Sequence, residues 1–205
     1  MIDDVLVGLG TSPWALWAMF GLVLADSLLV LVPGEIAVTA FGALAVTVGS
    51  PPLWAVIVLA GLAAFTGDAI VYILGRRVGM RRWRWMRTRR VAGAIEWAGG
   101  RLQRNSATVV FTARFIPFAR LAVNLTAGAT RVPAPRYLTM VGIAAGAWAL
   151  YQAAVGAIVA TLLPGGPLAA VILSITVAVL LGLIVDVGVT RISRGRDERA
   201  RSGHA

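Results

Sequence analysis

Residues 106–131 read SATVVFTARFIPFARLAVNLTAGATR, and the fold turns on how this stretch is interpreted. Its flanks are apolar enough for a helix in lipid, but Arg114, Pro117 and Arg120 fall at its middle. A proline inside a helix removes a backbone donor and bends or ends the helix. A guanidinium at bilayer mid-depth costs about 2.5–3.5 kcal/mol on insertion scales. Two arginines around a proline therefore favour a broken helical hairpin over a plain spanning helix. Non-helical backbone at that depth survives only where protein or a wet cavity surrounds it.

The rest of the chain places this stretch in a membrane. Of 205 residues, 59% are hydrophobic and 23 are glycine, and the mean hydropathy is +0.83. A soluble chain this apolar would have no polar skin for its core, so soluble enzyme folds are excluded. A helix needs about 20 apolar residues to cross. One span is predicted at 53–75, after Ser50-Pro51-Pro52 and before Arg76. Two more are predicted at 137–163 and 167–189, divided by Pro164-Gly165-Gly166-Pro167. The segment 14–49 resembles 106–131: it is too short for two crossings and carries Asp26 and Pro33-Gly34-Glu35 near its middle. It too reads as a re-entrant hairpin.

Charge sets the orientation. The chain has 19 basic residues, all arginine, against nine acids and one histidine, for a net charge of +10. The segment 76–105 holds ten of the arginines and only Glu96 against them, and the tail 191–205 holds five more. Both blocks flank apolar spans, where an arginine excess marks the cytoplasmic side, so nucleic acid is not the expected partner. Attraction to anionic membrane lipids is compatible with the same blocks. With both blocks inside, the hairpin 106–131 must start and finish inside, and 14–49 must start and finish outside.

The expected fold is an all-α membrane domain over 1–190. It comprises two inverted repeats, each a re-entrant hairpin followed by a transmembrane helix, plus a C-terminal transmembrane helix. Such repeats build many secondary transporters. The acidic start Met1-Ile2-Asp3-Asp4 is unlike a secretory signal, so the first apolar segment is expected to be retained. The plasma membrane is the expected location.

Five ionisable residues fall within or beside apolar segments: Asp26, Glu35, Asp68, Arg114 and Arg120. They cannot all face lipid, and three carboxylates with two guanidiniums have the right signs to pair. On continuous helices positions 26 and 35 would differ by about 180°, and 114 and 120 by about 240°, so neither pair would share a face. The breaks at Pro33-Gly34 and Pro117 let each pair line one cavity. With no cysteine, and His204 alone in a polar tail, nothing supplies a nucleophile or a metal cluster. Neither enzyme chemistry nor a metal or other cofactor is expected. Two rival functions use the same residues differently: proton-coupled export of small cations or drugs through the acids, and a structural role with the basic segment as docking surface.

Three blocks in order resemble the DedA family, also described as SNARE-associated or VTT-domain proteins. The first is Asp26 with Pro33-Gly34-Glu35. The second is Gly67-Asp68, Tyr72, Gly75-Arg76 and Gly79. The third is Arg114-Phe115-Ile116-Pro117 with Arg120 and Ala127-Gly128. The chain departs from the family pattern in having Asp26 where a glutamate is frequent and Phe118 where a glycine is frequent. The resemblance implies a carrier that moves polyprenyl phosphate (undecaprenyl or decaprenyl phosphate-like), or a related phospholipid, across the membrane. It also implies a link to the proton-motive force.

A guanidinium suits such a headgroup because it stays charged and offers a planar fork to phosphate oxygens. Arg114, Arg120 and Asn124 are the expected substrate ligands. Asp26, Glu35 and Asp68 are the expected proton-coupling groups, because two arginines against three carboxylates sum to minus one until a proton is taken. Pro33, Gly34, Gly67, Tyr72, Gly75, Pro117 and Gly128 are expected to shape the backbone. Gly142 and Gly146 are expected to allow close helix approach. Trp83, Trp85 and Trp97, lying among arginines, suggest an amphipathic segment at the cytoplasmic interface.

Overall fold

The computed structural model describes residues 8, 11–29, 34–78, 110, 119–162, 169, 171–173, 176, 177 and 180. Among these the regular structure is entirely helical. In chain order the helices are α1 (Ala15–Leu29), α2 (Gly34–Thr47), α3 (Leu53–Val78), α4 (Ala119–Ala129) and α5 (Ala134–Leu162). Outside the described residues fall Pro33, Arg114 and Pro117; nearly all of 76–105, with Trp83, Trp85 and Trp97; most of the span 167–189; and the tail 191–205.

Helix length separates two classes. At 1.5 Å per residue, α3 and α5, with 26 and 29 residues, run about 39 and 44 Å. Both exceed the hydrocarbon thickness of about 30 Å. Among the described residues these are the two helices long and apolar enough to cross a membrane, over Leu53–Arg77 and Ala134–Leu162. The expected spans at 53–75 and 137–163 match them, each helix running a turn further at its Arg-bearing end. By contrast α1, α2 and α4 have 15, 14 and 11 residues, about 22, 21 and 16 Å, and are too short to cross.

Residue size is sorted in a way that suits lipid. On α5 the buried face includes Ala144, Ala145, Ala149, Ala153, Ala157 and Ala160, while Ile143, Leu150, Ile158 and Leu162 are exposed. Small residues inside let helices approach, and large apolar ones face outward where hydrocarbon would solvate them. The core is correspondingly built from Met19, Val23, Val38, Val56 and Trp148 between alanines.

The two short helices α2 and α4 each lie mainly along one long helix, α2 on α5 and α4 on α3. Glycines carry both contacts. A Cβ at Gly42 would meet the Ala153 carbonyl, and one at Gly156 would meet the Thr39 carbonyl. A Cβ at Gly128 would meet the Tyr72 carbonyl, and one at Gly75 would meet the Leu125 carbonyl. In both seams each glycine sits on the backbone of the residue three positions before its partner glycine. Gly142 and Gly146 do not form the close-approach stripe expected of them. A Cβ at Gly142 would reach only the Phe65 ring at 3.7 Å, and one at Gly146 would meet nothing within 4 Å. Their spacing is right, but the approach there is an ordinary contact: a Cβ at Gly61 of α3 would stand 3.7 Å from Gly146 Cα.

Helix α4 ends in a Schellman turn: Val132 N donates to Ala127 O and Arg131 N to Gly128 O, both at 3.0 Å, with Arg131 at φ 55°. A non-glycine in this left-handed region is unfavourable by about 1–2 kcal/mol. The apolar contact that usually accompanies the motif is present, since Ala127 and Val132 share one buried cluster with Tyr72, Val110 and Tyr137. The turn delivers the chain into α5 and leaves the Val132 carbonyl pointing at α3.

Gly128→Ala and Gly156→Ala should each destabilise by about 1–3 kcal/mol, since the new methyl meets backbone that cannot yield. Gly146→Ala should be neutral or stabilising, because alanine is the better helix former by about 1 kcal/mol. Thermal unfolding of the three purified variants in detergent measures the difference.

Candidate functional site

Three close approaches bring charged residues together. Gly34 is packed so tightly against α1 that a Cβ would stand 2.9 Å from Asp26 Cβ and 3.2 Å from Val23 Cα. Gly67 accepts the Ser27 side chain in the space its own Cβ would fill. Asp26 precedes that serine on α1 and Asp68 follows that glycine on α3. On α4, Arg120, Asn124 and Gly128 recur every four residues, as do Asp68, Tyr72 and Arg76 on α3, so each set forms one stripe of its helix. The Gly75 and Gly128 contacts press these two stripes together.

Arg120 lies at the junction. Its Nη2 donates to Asp26 Oδ2 at 3.0 Å and to the Asp26 carbonyl at 3.1 Å, and its Nε lies 3.8 Å from Asp68 Oδ1. That carbonyl is among the last four of α1, which have no partner within the helix, and a cation there also opposes the helix dipole. Asp68 is 1% exposed, and its Oδ1 accepts from Asn124 Nδ2 at 2.7 Å. Asn124 Oδ1 in turn accepts from the Tyr137 hydroxyl at 2.6 Å.

The network continues through aromatic contact. Tyr137 stacks on Tyr72 with ring centroids 4.9 Å apart and planes at 21°. The Tyr72 hydroxyl donates to Val132 O at 2.6 Å and accepts from Arg76 Nη1 at 2.9 Å. Polar groups from α1, α3, α4 and α5 thus form one connected set. Its described charges, Asp26 and Asp68 against Arg120 and Arg76, cancel.

Of the residues singled out in the sequence, Asp26, Gly34, Gly67, Asp68, Tyr72, Gly75, Arg120, Asn124 and Gly128 meet here. Glu35 is exposed in the first turn of α2, beside Gly34. Of the expected acid partners of the arginines, Asp26 and Asp68 flank Arg120. The set also gains Arg76, through its bond to the Tyr72 hydroxyl.

Sequence reasoning missed Ser27, Tyr137 and the pairing of Arg76 with Tyr72. Ser27 stands next to Asp26, but a hydroxyl beside an acid is too frequent to single out. Tyr137 opens a long apolar stretch and reads only as the start of a span. Among the described residues no three His, Cys, Asp or Glu side chains gather as a metal would require.

The model of the VTT domain matches residues 32–158, more than half of the chain. The chain belongs to the VTT-domain family, the DedA or SNARE-associated proteins. No curated protein and no solved structure gives a match. The matched region of this VTT-domain protein begins just before α2 and ends within α5, so it includes Asp68, Arg120, Asn124 and Tyr137 but not Asp26. Family and apolar helices together make it a membrane protein.

Arg120→Gln should destabilise by about 3–5 kcal/mol, because it leaves buried carboxylates without their cation. Adding Asp26→Asn to that variant should recover part of the loss. Tyr137→Phe should cost about 1–3 kcal/mol by leaving Asn124 Oδ1 without its donor. A double-mutant cycle read by thermal unfolding checks the coupling between positions 26 and 120.

Proposed function

We propose that this VTT-domain protein carries a lipid phosphate of the polyprenyl phosphate type across the plasma membrane, sheltering the headgroup at Arg120. One observation carries the reading: a single Arg120 nitrogen donates to two oxygens of Asp26, at 3.0 and 3.1 Å. A phosphate presents several oxygens and a stronger charge, so it can exchange with Asp26 on the same donor. The tail of such a lipid is hydrocarbon and stays in the bilayer, so only the headgroup needs a polar site. Asn124 lies one turn from Arg120, and Arg114 is the second proposed guanidinium.

The architecture proposed with it is two re-entrant hairpins in inverted repeats. The helix lengths support this, since α1 and α2 together occupy 14–49 without either being able to cross. The reciprocal glycine seams support it too: α2 pairs with the long helix of the other half, and α4 does the same in return. In this arrangement the basic segment 76–105 and the tail are cytoplasmic. The protein acts as a carrier and not as an enzyme, and Asp26, Glu35 and Asp68 are its proton-accepting groups.

Labelled polyprenyl phosphate should bind the purified protein, and Arg120→Ala should weaken it at least about tenfold, the worth of one charged hydrogen bond. Arg114→Ala should do the same. Asp26→Asn should bind more tightly than wild type, because it removes the competitor. In proteoliposomes that variant should carry lipid without responding to a pH gradient. Equal binding by wild type and Arg120→Ala would remove the headgroup from this site.

A further inference from the structure

The end of the bundle where α3 stops and α5 starts is basic. Arg76 closes the Asp68, Tyr72, Arg76 stripe of α3, Arg131 stands in the turn after α4, and Arg136 lies in the first turn of α5; all three are exposed. Tyr72 joins them. Its hydroxyl accepts from Arg76 and donates to the carbonyl of Val132, the neighbour of Arg131, while its ring stacks on Tyr137, the neighbour of Arg136. Gly128 ties two of the backbones together: its carbonyl accepts from Arg131 N, and a Cβ on it would stand 2.8 Å from Arg76 N. Among the described residues no acid is ion-paired with Arg131 or Arg136.

Two of these arginines occupy positions that do not suit a bare cation. Arg131 takes the left-handed conformation, at φ 55°, in the turn position where glycine is the usual residue. Arg136 stands at the N-terminal end of α5, where the helix dipole opposes positive charge. A backbone outlier of this kind points toward a functional reason for the side chain it carries. An anion held among the three guanidiniums supplies that reason, because it offsets their mutual repulsion and is itself favoured at a helix N-terminus.

The level of the cluster in the membrane selects the anion. Trp54, exposed near the start of α3, lies 22 residues before Arg76, about 33 Å along the axis. That matches a hydrocarbon thickness of about 30 Å, with tryptophan at one interface and arginine at the other. On the same helix Ile70, Ile73 and Leu74 are 43%, 43% and 53% exposed just before Arg76. They offer acyl chains a surface beneath a phosphate held at the arginines, which a free anion would not use. We propose that Arg76, Arg131 and Arg136 bind the phosphate of an anionic phospholipid of the adjoining leaflet. The site is separate from Arg120, since Arg76 stands two turns, about 12 Å, beyond Asp68 on α3. Its lipid is a bound neighbour of the protein and not the cargo proposed above.

Short-chain phosphatidylglycerol, titrated into the purified protein in a nonionic detergent, should raise the Tm with concentration, and phosphatidylcholine should not. Arg131→Gly and Arg136→Gln each remove a guanidinium from an unfavourable position, so both should fold and keep or raise the Tm measured without lipid. Each should increase the phosphatidylglycerol concentration needed for half the rise by about tenfold, the worth of one charged hydrogen bond. Arg77→Gln removes a charge at the same end but outside the group around Tyr72, and it should leave that concentration unchanged. An equal rise with phosphatidylcholine or with inorganic phosphate overturns the lipid site. So does a response that is unaltered in both Arg131→Gly and Arg136→Gln. A loss in Arg77→Gln as large as in Arg131→Gly also overturns it, in favour of diffuse charge attraction. None of these readouts depends on lipid carriage, so failure here leaves the headgroup site at Arg120 standing, and the reverse holds too.

Discussion

The guanidinium of Arg120, held between Asp26 and Asp68, is the constraint around which the described structure is organised. A charge in an apolar surround is tolerated only when opposite charge and hydrogen bonds reach it at short range. Here those partners come from two other helices, so α1, α3 and α4 must all approach one point. The helix positions follow from meeting that demand in a chain whose exposed faces are apolar.

Close approach is what the glycines supply. At Gly34 and Gly67 the missing side chain lets α1 come against α2 and α3, which sets the position of Asp26. Gly75 and Gly128 let α4 come against α3, which sets Arg120 and Asn124 beside Asp68. The same device recurs between α2 and α5 at Gly42 and Gly156, where each glycine sits on the backbone of the facing helix.

The tyrosines tie the charged centre to the chain's reversal after α4. Tyr137 holds Asn124 in the orientation that serves Asp68, and Tyr72 caps the Val132 carbonyl left by the Schellman turn while receiving Arg76. A shift of α4 along α3 would break these bonds together with the ion pair. The turn and the site therefore fix one another's register.

Much of this was legible in the sequence, because hydropathy, proline and arginine excess act locally. The run after Ser50-Pro51-Pro52 has to be a long apolar helix, and Pro33-Gly34 and Pro117 each disfavour a continuous helix through the segment that contains them. The list of ions that must find partners follows from the cost of burying charge, and Asp26, Asp68 and Arg120 were all on it. Which acid meets which arginine was not legible, because the pairs are 94 and 56 positions apart for Asp26 with Arg120 and Asp68 with Asn124. Nor does glycine spacing reveal that Gly156 touches backbone while Gly146 faces open space. Those outcomes depend on where helix axes cross, and that is decided by packing of the whole bundle rather than by any one segment.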